Sequence, residues 1–246
     1  MIDDLDEAAL SRSLRRRAVR TFPALVSTEA HAQAWARSGA PSGALVVADY
    51  QAAPRGRAGW PWRSEPGRGL GFSLVLRPPL PPEREGWCYL VAAVALRDVV
   101  APADSRLEWP DVVHDPRTGA RRAAVAVHAD LGQPGRAWVV VTVLVEGAEP
   151  PRGDLLGRCV TGIERRFTDD EGAVLSTYRS ACSTLGRDVC ARMVPLGPSG
   201  VQIRGRAVDV LGDGALVVLT DRGHRVAVRP QHLGILDDVP PADAQP

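Results

Sequence analysis

Residues 48–62 read Ala-Asp-Tyr-Gln-Ala-Ala-Pro-Arg-Gly-Arg-Ala-Gly-Trp-Pro-Trp, and this stretch decides the fold prediction. It begins at the end of a short apolar run, residues 44–49, which predicts a buried strand. It continues into a segment rich in Gly, Pro, Arg and Trp that extends to residue 69. Loops of this length inside a compact domain are typically functional or mobile. We therefore expect residues 51–69 to be exposed and poorly ordered when no ligand is bound.

The same stretch resembles the substrate loop of biotin protein ligases, which reads approximately A-D-x-Q-T-A-G-R-G-R-x-G-R-x-W. Arg55, Gly56 and Arg57 match the R-G-R of that pattern, and Gln51 lies four residues before Arg55. The resemblance covers most of the chain. Further matches are Leu76-Arg77-Pro78, Tyr178-Arg179, Cys182, Thr184-Leu185-Gly186-Arg187, Gly205, Asp209 and Gly214-Ala215-Leu216.

The resemblance implies an α+β fold of the class II synthetase and biotin ligase type, with a mixed sheet packed against helices and a small SH3-like β-barrel domain after it. We expect four parts: an N-terminal helix and first strand (residues 1–24), a catalytic-type domain (25–187), the SH3-like domain (188–236) and a disordered tail (237–246). The turns between short β-like runs after residue 189 are typical of a small β domain.

Hydrophobic spacing places the other elements. Leu5, Leu10 and Leu14 predict a helix over residues 3–20. Ser27 or Thr28 can cap a helix that runs to about residue 40. Strands are predicted over 22–26, 70–76, 123–129 and 138–145, and helices over 87–100, 155–167 and 173–185.

Composition restricts the class of protein. The formal net charge is +1, so no global attraction to nucleic acid or anionic lipid is expected. The N-terminus is acidic, unlike a secretory signal, and no apolar stretch is long enough for a bilayer. We expect a cytoplasmic protein whose four cysteines are reduced and mostly buried. No membrane partner is expected, because no apolar stretch is long enough. DNA is not expected as a partner either, since the N-terminal helix leads straight into the catalytic domain without a winged helix.

The chain of 246 residues contains no lysine, and all 30 basic residues are arginine. Arginine stays charged and is a poor nucleophile, which excludes lysine Schiff-base chemistry. A P-loop is excluded as well, because its lysine contacts the phosphates.

By resemblance, the reaction joins biotin to ATP as biotinyl-adenylate and then passes biotin to a lysine of a carboxyl carrier domain. If the protein is active, its cofactors are biotin and ATP with Mg²⁺, its partner is such a carrier domain, and a dimer is possible. No resident metal ligands are expected. The implied biotin-binding residues are Ser27, Thr28, Gln51, Arg55, Gly56 and Arg57, and the implied adenylate-binding residues are Arg57, Trp62 and Trp109.

The departures from the family pattern fall on charged and ligand-facing positions. The K-W-P-N-D motif becomes Glu-Trp-Pro-Asp-Val, so that Glu108 stands at the position of the catalytic lysine. The K-x-x-G-I-L segment corresponds to residues 122–127, where Arg122 is a possible substitute for lysine. The small residues of G-I-G-I-N are lost in residues 142–146, and Pro54 replaces a glycine.

Three interpretations follow. The first is a family member with little or no ligase activity, a pseudoenzyme that keeps a remodelled small-molecule pocket or acts through a protein partner. The second is an active biotin–carboxyl-carrier ligase in which Arg122 or Arg57 compensates for the lysine. The third is an adenylate-forming enzyme for another carboxylic acid, since lipoate ligases share the catalytic fold.

Overall fold

The computed structural model describes residues 3–5, 10, 14, 17–63, 65–100, 104–132, 135–197 and 200–239. Four α-helices lie in this part of the chain: α1 (Thr28–Arg37), α2 (Glu85–Val100), α3 (Gly153–Thr168) and α4 (Glu171–Ala181). The strands are β1 (Val19–Leu25), β2 (Leu45–Gln51), β3 (Leu70–Leu76), β4 (Arg106–Glu108), β5 (Val112–His114), β6 (Arg121–Asp130), β7 (Trp138–Val145), β8 (Asp188–Met193), β9 (Gln202–Val210), β10 (Leu216–Leu219), β11 (Arg225–Val228) and β12 (Leu233–Asp238).

Strands β1 to β7 form one mixed sheet in the order β1-β2-β3-β7-β6-β5-β4. Strands β1 and β2 are parallel, and the other neighbours are antiparallel. The central strands β3 and β7 are apolar almost throughout and are buried on both faces. Such near-continuous apolar runs are what a strand covered on both sides requires. The predicted α+β class, with a mixed sheet packed against helices, is confirmed.

The two faces of this sheet are covered differently. One face carries residues such as Phe72, Val141 and Val143, and it belongs to a single core with helices α2 and α3. Helix α2 is buried along most of its length because it is apolar on nearly every side. On the other face, α1 packs over Val46, Val75, Trp138 and Val140. The rest of that face lies under the loop that follows β2.

Strands β8 to β12 form a second, five-stranded antiparallel sheet in the order β11-β10-β9-β8-β12. It contacts the first unit at the start of α2, where a Cβ atom on Gly86 would collide with the carbonyl of Asp213. The Trp109 indole donates a hydrogen bond of 2.9 Å to the Gly214 carbonyl, also across this boundary. The two sheets therefore pack closely.

Several predicted boundaries are wrong. The predicted N-terminal helix does not reach Arg20, because β1 begins at Val19. Among its described residues, Asp3–Leu5 forms a short 3-10 helix and Leu10 is α-helical. Residues 6–9, 11–13 and 15–16 of that predicted helix lie outside the described residues. The last helix ends at Ala181 rather than 185, where turns lead into β8. Strand β12 continues to Asp238, into the predicted disordered tail, and residues 240–246 of that tail lie outside the described residues.

None of the helices in the described ranges is long and apolar enough to cross a bilayer.

Candidate functional site

The candidate site is the part of the first sheet that α1 leaves open, between the N-terminus of α1 and the loop after β2. Side chains alternate along each strand, so Ser73 on β3 and the even-numbered residues 142 and 144 on β7 point to this face. The β3–β7 register places Ser73 directly opposite Thr142. The floor of the site therefore comes from strands β3, β7 and β6.

A chain of buried polar groups crosses this floor. The Gln51 carboxamide oxygen accepts from the Thr28 backbone N–H (2.8 Å) and hydroxyl (3.1 Å). The Ser73 hydroxyl donates to the Thr28 hydroxyl at 2.9 Å and lies 2.8 Å from the Thr142 hydroxyl. All four residues are buried. Buried polar groups that satisfy one another in this way are rigidly held.

Trp62 covers the next part of the floor. It is buried and packs against Ala124, Ala126 and Leu144. The loop backbone passes close to its ring, since a Cβ atom on Gly56 would collide with the Trp62 indole. The expectation of an exposed loop is wrong for Gln51, Gly56 and Trp62, all of which are buried.

Arg57 joins the loop to the strands on either side. Its guanidinium donates to the Asp111 carboxylate at 3.2 Å and to the Leu233 carbonyl of β12 at 2.5 Å. The indole N–H of Trp60 donates to the neighbouring Gly234 carbonyl at 3.1 Å. Arg57 therefore already has an anionic partner, Asp111, in the absence of ligand.

Asp111 lies in an environment that disfavours its charge. Burial raises the pKa of its carboxyl, the Arg57 guanidinium lowers that pKa in part, and the negative charge of Glu108 raises it again. The negative charges of Asp111 and Glu108 are thus close enough to repel each other. Of the two carboxylates, Asp111 contacts Arg57, the arginine that the resemblance assigns to the adenylate.

Glu108 ends β4 and faces the second sheet. Its carboxylate lies 3.5 Å from the Arg187 guanidinium, and Arg187 also pairs with Asp238 at the end of β12. Glu108 and Arg187 are both more than a third exposed. Such an exposed pair contributes little to stability. The structure therefore gives Glu108 a surface partner and no compensating burial.

Three other predicted site residues occupy different surroundings. Ser27 caps α1 at the rim of the floor without a side-chain capping bond. Arg55 is exposed and donates to the Gly59 carbonyl of its own loop at 3.1 Å. Trp109 is 1% exposed, lies in the core on the far side of the sheet and uses its indole N–H on Gly214. The adenylate-binding role that the resemblance implies for Trp109 stays a prediction, and its ring has almost no exposed surface in this structure.

Arg122, the predicted substitute for lysine, turns away from the floor. Its guanidinium donates to Asp115 at 3.0 Å, in the turn between β5 and β6. The preceding residue, Arg121, instead pairs with Glu146 at the end of β7. These two residues border a cavity of about 390 Å³ that also touches Leu144, Arg63 and Arg68. The cavity continues the floor beyond Trp62, because Leu144 belongs to both.

In the part of the chain that the structure describes, neither the cysteines nor a group of metal-ligating side chains forms a competing site. All four cysteines are buried and free, as predicted. Burial raises the pKa of the Cys159 thiol to about 12, which keeps it a poor nucleophile at neutral pH. Within the described ranges, no group of three or more His, Cys, Asp and Glu side chains is placed to hold a metal ion.

Sequence reasoning missed Ser73, Arg121 and Arg187. Ser73 carried a signal, since it is a hydroxyl residue inside the otherwise apolar strand Leu-Gly-Phe-Ser-Leu-Val-Leu. Arg121 carried none, because arginines occur throughout the chain and only tertiary contacts separate those near the site from the rest. Arg187 belongs to the matched Thr-Leu-Gly-Arg segment, but that match did not indicate a contact with Glu108.

Comparisons with known proteins give a consistent result. No family model matches the chain. The biotin–[acetyl-CoA-carboxylase] ligase of Mycobacterium tuberculosis is 30% identical over 225 residues, which cover 82% of each chain. The bifunctional ligase/repressor BirA of Bacillus subtilis is 40% identical over 90 residues, but these span only 28% of that protein.

Among solved structures, the biotin protein ligase from Aquifex aeolicus, in complex with biotin and ATP, superposes with a TM-score of 0.67. The superposition covers 90% of this chain and 99% of the Aquifex chain, at 20% sequence identity. At that identity the likeness supports the shared fold and carries no residue-level conclusion.

Proposed function

Since the chain belongs to the biotin protein ligase family, we propose that it is a member with impaired formation of biotinyl-adenylate, a pseudoenzyme that retains a remodelled small-molecule site. The ligand proposed for the polar floor is biotin or a similar heteroatom-rich carboxylic acid. A biotin carboxyl carrier domain is the partner that the family suggests. We also propose that the second sheet, residues 188–236, is the SH3-like C-terminal domain of the family.

The observation that carries this proposal is the Asp111 carboxylate beside Arg57, together with the nearby negative charge of Glu108. Asp111 lies 3.2 Å from the Arg57 guanidinium, and the charge of Glu108 reaches Asp111. By resemblance, the family has a lysine at the position of Glu108 and an asparagine at the position of Asp111. Both reactants of the first step are anions, so the site must supply positive charge to them. Here the positive charge of Arg57 is already neutralised.

The size of this effect can be estimated. Two unit charges about 4 Å apart interact by roughly 4 kcal/mol at an effective dielectric constant of 20. Replacing attraction by repulsion changes the binding of an anionic transition state by roughly 8 kcal/mol in that picture, before screening. About 1.4 kcal/mol already corresponds to a tenfold change in rate. Glu108 is exposed and paired with Arg187, which reduces this figure, and each 1.4 kcal/mol that remains slows the reaction about tenfold.

The floor of the site supports the same proposal. Leu144 and Thr142 stand where the family pattern has glycines, and Leu144 packs directly under Trp62. A leucine side chain in that place fills volume that a ligand in the family pocket needs. The polar atoms of Thr28, Gln51 and Ser73 remain together, so a smaller or differently shaped ligand is favoured.

Biotin-dependent exchange of pyrophosphate into ATP tests the proposal, because it measures adenylate formation without a carrier protein. We expect exchange at least a hundredfold slower than that of the Mycobacterium tuberculosis ligase assayed in parallel. Calorimetry with biotin alone then measures whether the site still binds it. Biotin-dependent exchange at the rate of the reference enzyme would overturn the proposal and favour an active biotin ligase. Rapid exchange with another carboxylic acid in place of biotin would favour a different adenylate-forming enzyme.

A further inference from the structure

We propose that Glu29, at the start of α1, is a specificity-determining residue that selects carboxylic acids whose far end carries a positive charge, such as an ω-guanidino or ω-amino acid. The inference deepens the proposed function, and it rests on that function in taking the polar floor as the ligand site. Glu29 is not among the residues that the family resemblance assigns to the ligand.

Glu29 lies beside the polar floor, on the side of β6. It follows Thr28 directly, and successive side chains of an α-helix point about 100° apart, so Glu29 is turned from the floor toward β6. There its carboxylate lies 3.9 Å from the His128 ring nitrogen Nδ1. His128 shares a face of β6 with Ala126, which is opposite Thr142 in the strand register. Glu29 and His128 therefore border the floor along β6.

The Glu29 carboxylate is shielded from water without an arginine partner. Its side chain is 19% exposed, and among the described residues only the His128 ring is a basic group within ion-pair distance. The Gln33 carboxamide donates to it at 2.7 Å, and Arg37, two turns along α1, donates to Gln33 instead. Other shielded carboxylates of the chain do pair with arginine: Asp49 with Arg152, Asp111 with Arg57 and Glu164 with Arg17.

This environment favours a cationic ligand. Burial raises the pKa of the Glu29 carboxyl, and the hydrogen bond from Gln33 lowers that pKa only in part. Burial also lowers the pKa of His128, and the charge of Arg37 lowers it further, so the imidazole is neutral at pH 7. A carboxylate held away from water without a counter-ion is unfavourable. A guanidinium or ammonium group of a ligand supplies that counter-ion, the guanidinium through two parallel N–H groups.

A purely structural role for Glu29 makes a different prediction. A carboxylate in the first turn of a helix is stabilised by the helix dipole, whatever ligand is bound. Asp154 and Glu171 stand in the first turns of α3 and α4 in the same way, but both are exposed. The dipole explains a negative charge at the start of α1 and does not require it to be shielded beside a neutral histidine. Ligand preference therefore separates the two roles.

Calorimetric titration of the full chain with two probes of equal length tests the inference. The probes are ω-guanidinohexanoate, which is cationic at its far end, and ω-ureidohexanoate, its neutral isostere. We expect the guanidino probe to bind at least about tenfold more tightly, because its contact with Glu29 is charge-assisted. Glu29→Gln keeps the shape of the side chain and should abolish this preference. Asp154→Asn is the matched control, since it removes the same charge from the first turn of α3, and it should change the preference by less than about twofold.

Thermal unfolding of each variant confirms that it is folded. Failure of both probes to bind, equal affinity for the two, or a preference that survives in the Glu29 variant would overturn the inference. So would an equal loss of preference in the Asp154 variant, which would indicate a general effect of charge. The exchange assay is independent of these results. Rapid biotin-dependent exchange would overturn the proposed function and leave a preference that depends on Glu29 standing, whereas slow exchange without that preference would overturn the inference alone.

Discussion

At the scale of single residues, the buried Arg152 explains why the loop over the site has a fixed base. Its side chain is fully buried and donates to Asp4, to Asp49 at 2.6 Å and to the Gly69 carbonyl at 3.1 Å. Asp49 comes just before the loop and Gly69 ends it. One guanidinium therefore ties both ends of the loop together. The aspartate in the motif Ala-Asp-Tyr-Gln thus has a structural role.

Because of this arrangement, the free energy of unfolding depends on pH in the acid range. Burial raises the pKa of Asp4, but the hydrogen bonds and charge of Arg152 outweigh it, so the net pKa is lowered. A carboxyl whose pKa is lowered on folding stabilises the protein above its unfolded-state pKa, and that stability is lost as pH falls below about 4. Asp4→Asn should cost about 3 kcal/mol at pH 7 and flatten the acid dependence, as measured by urea unfolding. Asp221→Asn, at an exposed turn, is the control and should change stability by less than about 0.5 kcal/mol.

A second prediction concerns Glu108. Glu108→Lys should raise the rate of pyrophosphate exchange by less than about tenfold, because Asp111 and Leu144 still oppose the ligand and such effects are coupled. It should also cost no more than about 1 kcal/mol of stability, since the pair with Arg187 is exposed. A full return of exchange from this single change would show that the lysine position alone limits activity.

At the scale of elements, the loop after β2 is held by its own hydrogen bonds and by β12. The backbone N–H groups of Ala52, Gly56 and Trp62 donate to the carbonyls of Leu25, Trp60 and Pro54 at 2.8, 2.7 and 3.0 Å. The side chains of Arg57 and Trp60 then attach the loop to β12. Residues 51–62 of the loop are thus held in place in the absence of ligand.

Hydrogen exchange measures this order directly. We expect the amides of Gly56 and Trp62 to be protected in the unliganded protein. Trp60→Phe removes the N–H that reaches Gly234 and should speed their exchange about fivefold, the effect of about 1 kcal/mol for one hydrogen bond. Trp35→Phe, on α1 and away from the loop, serves as the control. Amides of Gly56 and Trp62 that exchange freely in the wild-type protein would restore the view of a disordered loop.

At the scale of the whole molecule, the two sheets meet through close backbone contact. Gly214 has a φ of +87° and lies against Gly86, where a Cβ atom would overlap the Gly86 carbonyl. Its own carbonyl accepts the Trp109 indole. Because the contact has no spare volume, we expect the two sheets to unfold in one transition.

Gly214→Ala should destabilise the protein by at least about 2 kcal/mol, through the positive φ and the overlap with Gly86. Gly212→Ala is a matched control two residues away, since a Cβ there meets no atom within 4 Å. It should change the free energy of unfolding by less than about 1 kcal/mol. Similar losses in both variants, or two separate transitions in urea, would contradict close coupling of the sheets.

The sequence by itself determined the main elements and the family. Strands β3 and β7 and helix α2 could be predicted because apolar runs must be buried, and that requirement is local to each segment. The loop motif could be aligned because its glycines and arginines are read in order along the chain. The replacement of the family's lysine by Glu108 is likewise visible from the sequence alone.

Only the tertiary structure decided which charges meet. The pairing of Arg57 with Asp111, of Arg122 with Asp115 and of Arg121 with Glu146 depends on strand register and on one irregularity at the start of β6. Burial of Trp109 and Trp62 on opposite faces of the sheet was equally hidden. Charge interactions act between residues distant in sequence, so thirty chemically identical arginines can be told apart only once the chain is folded.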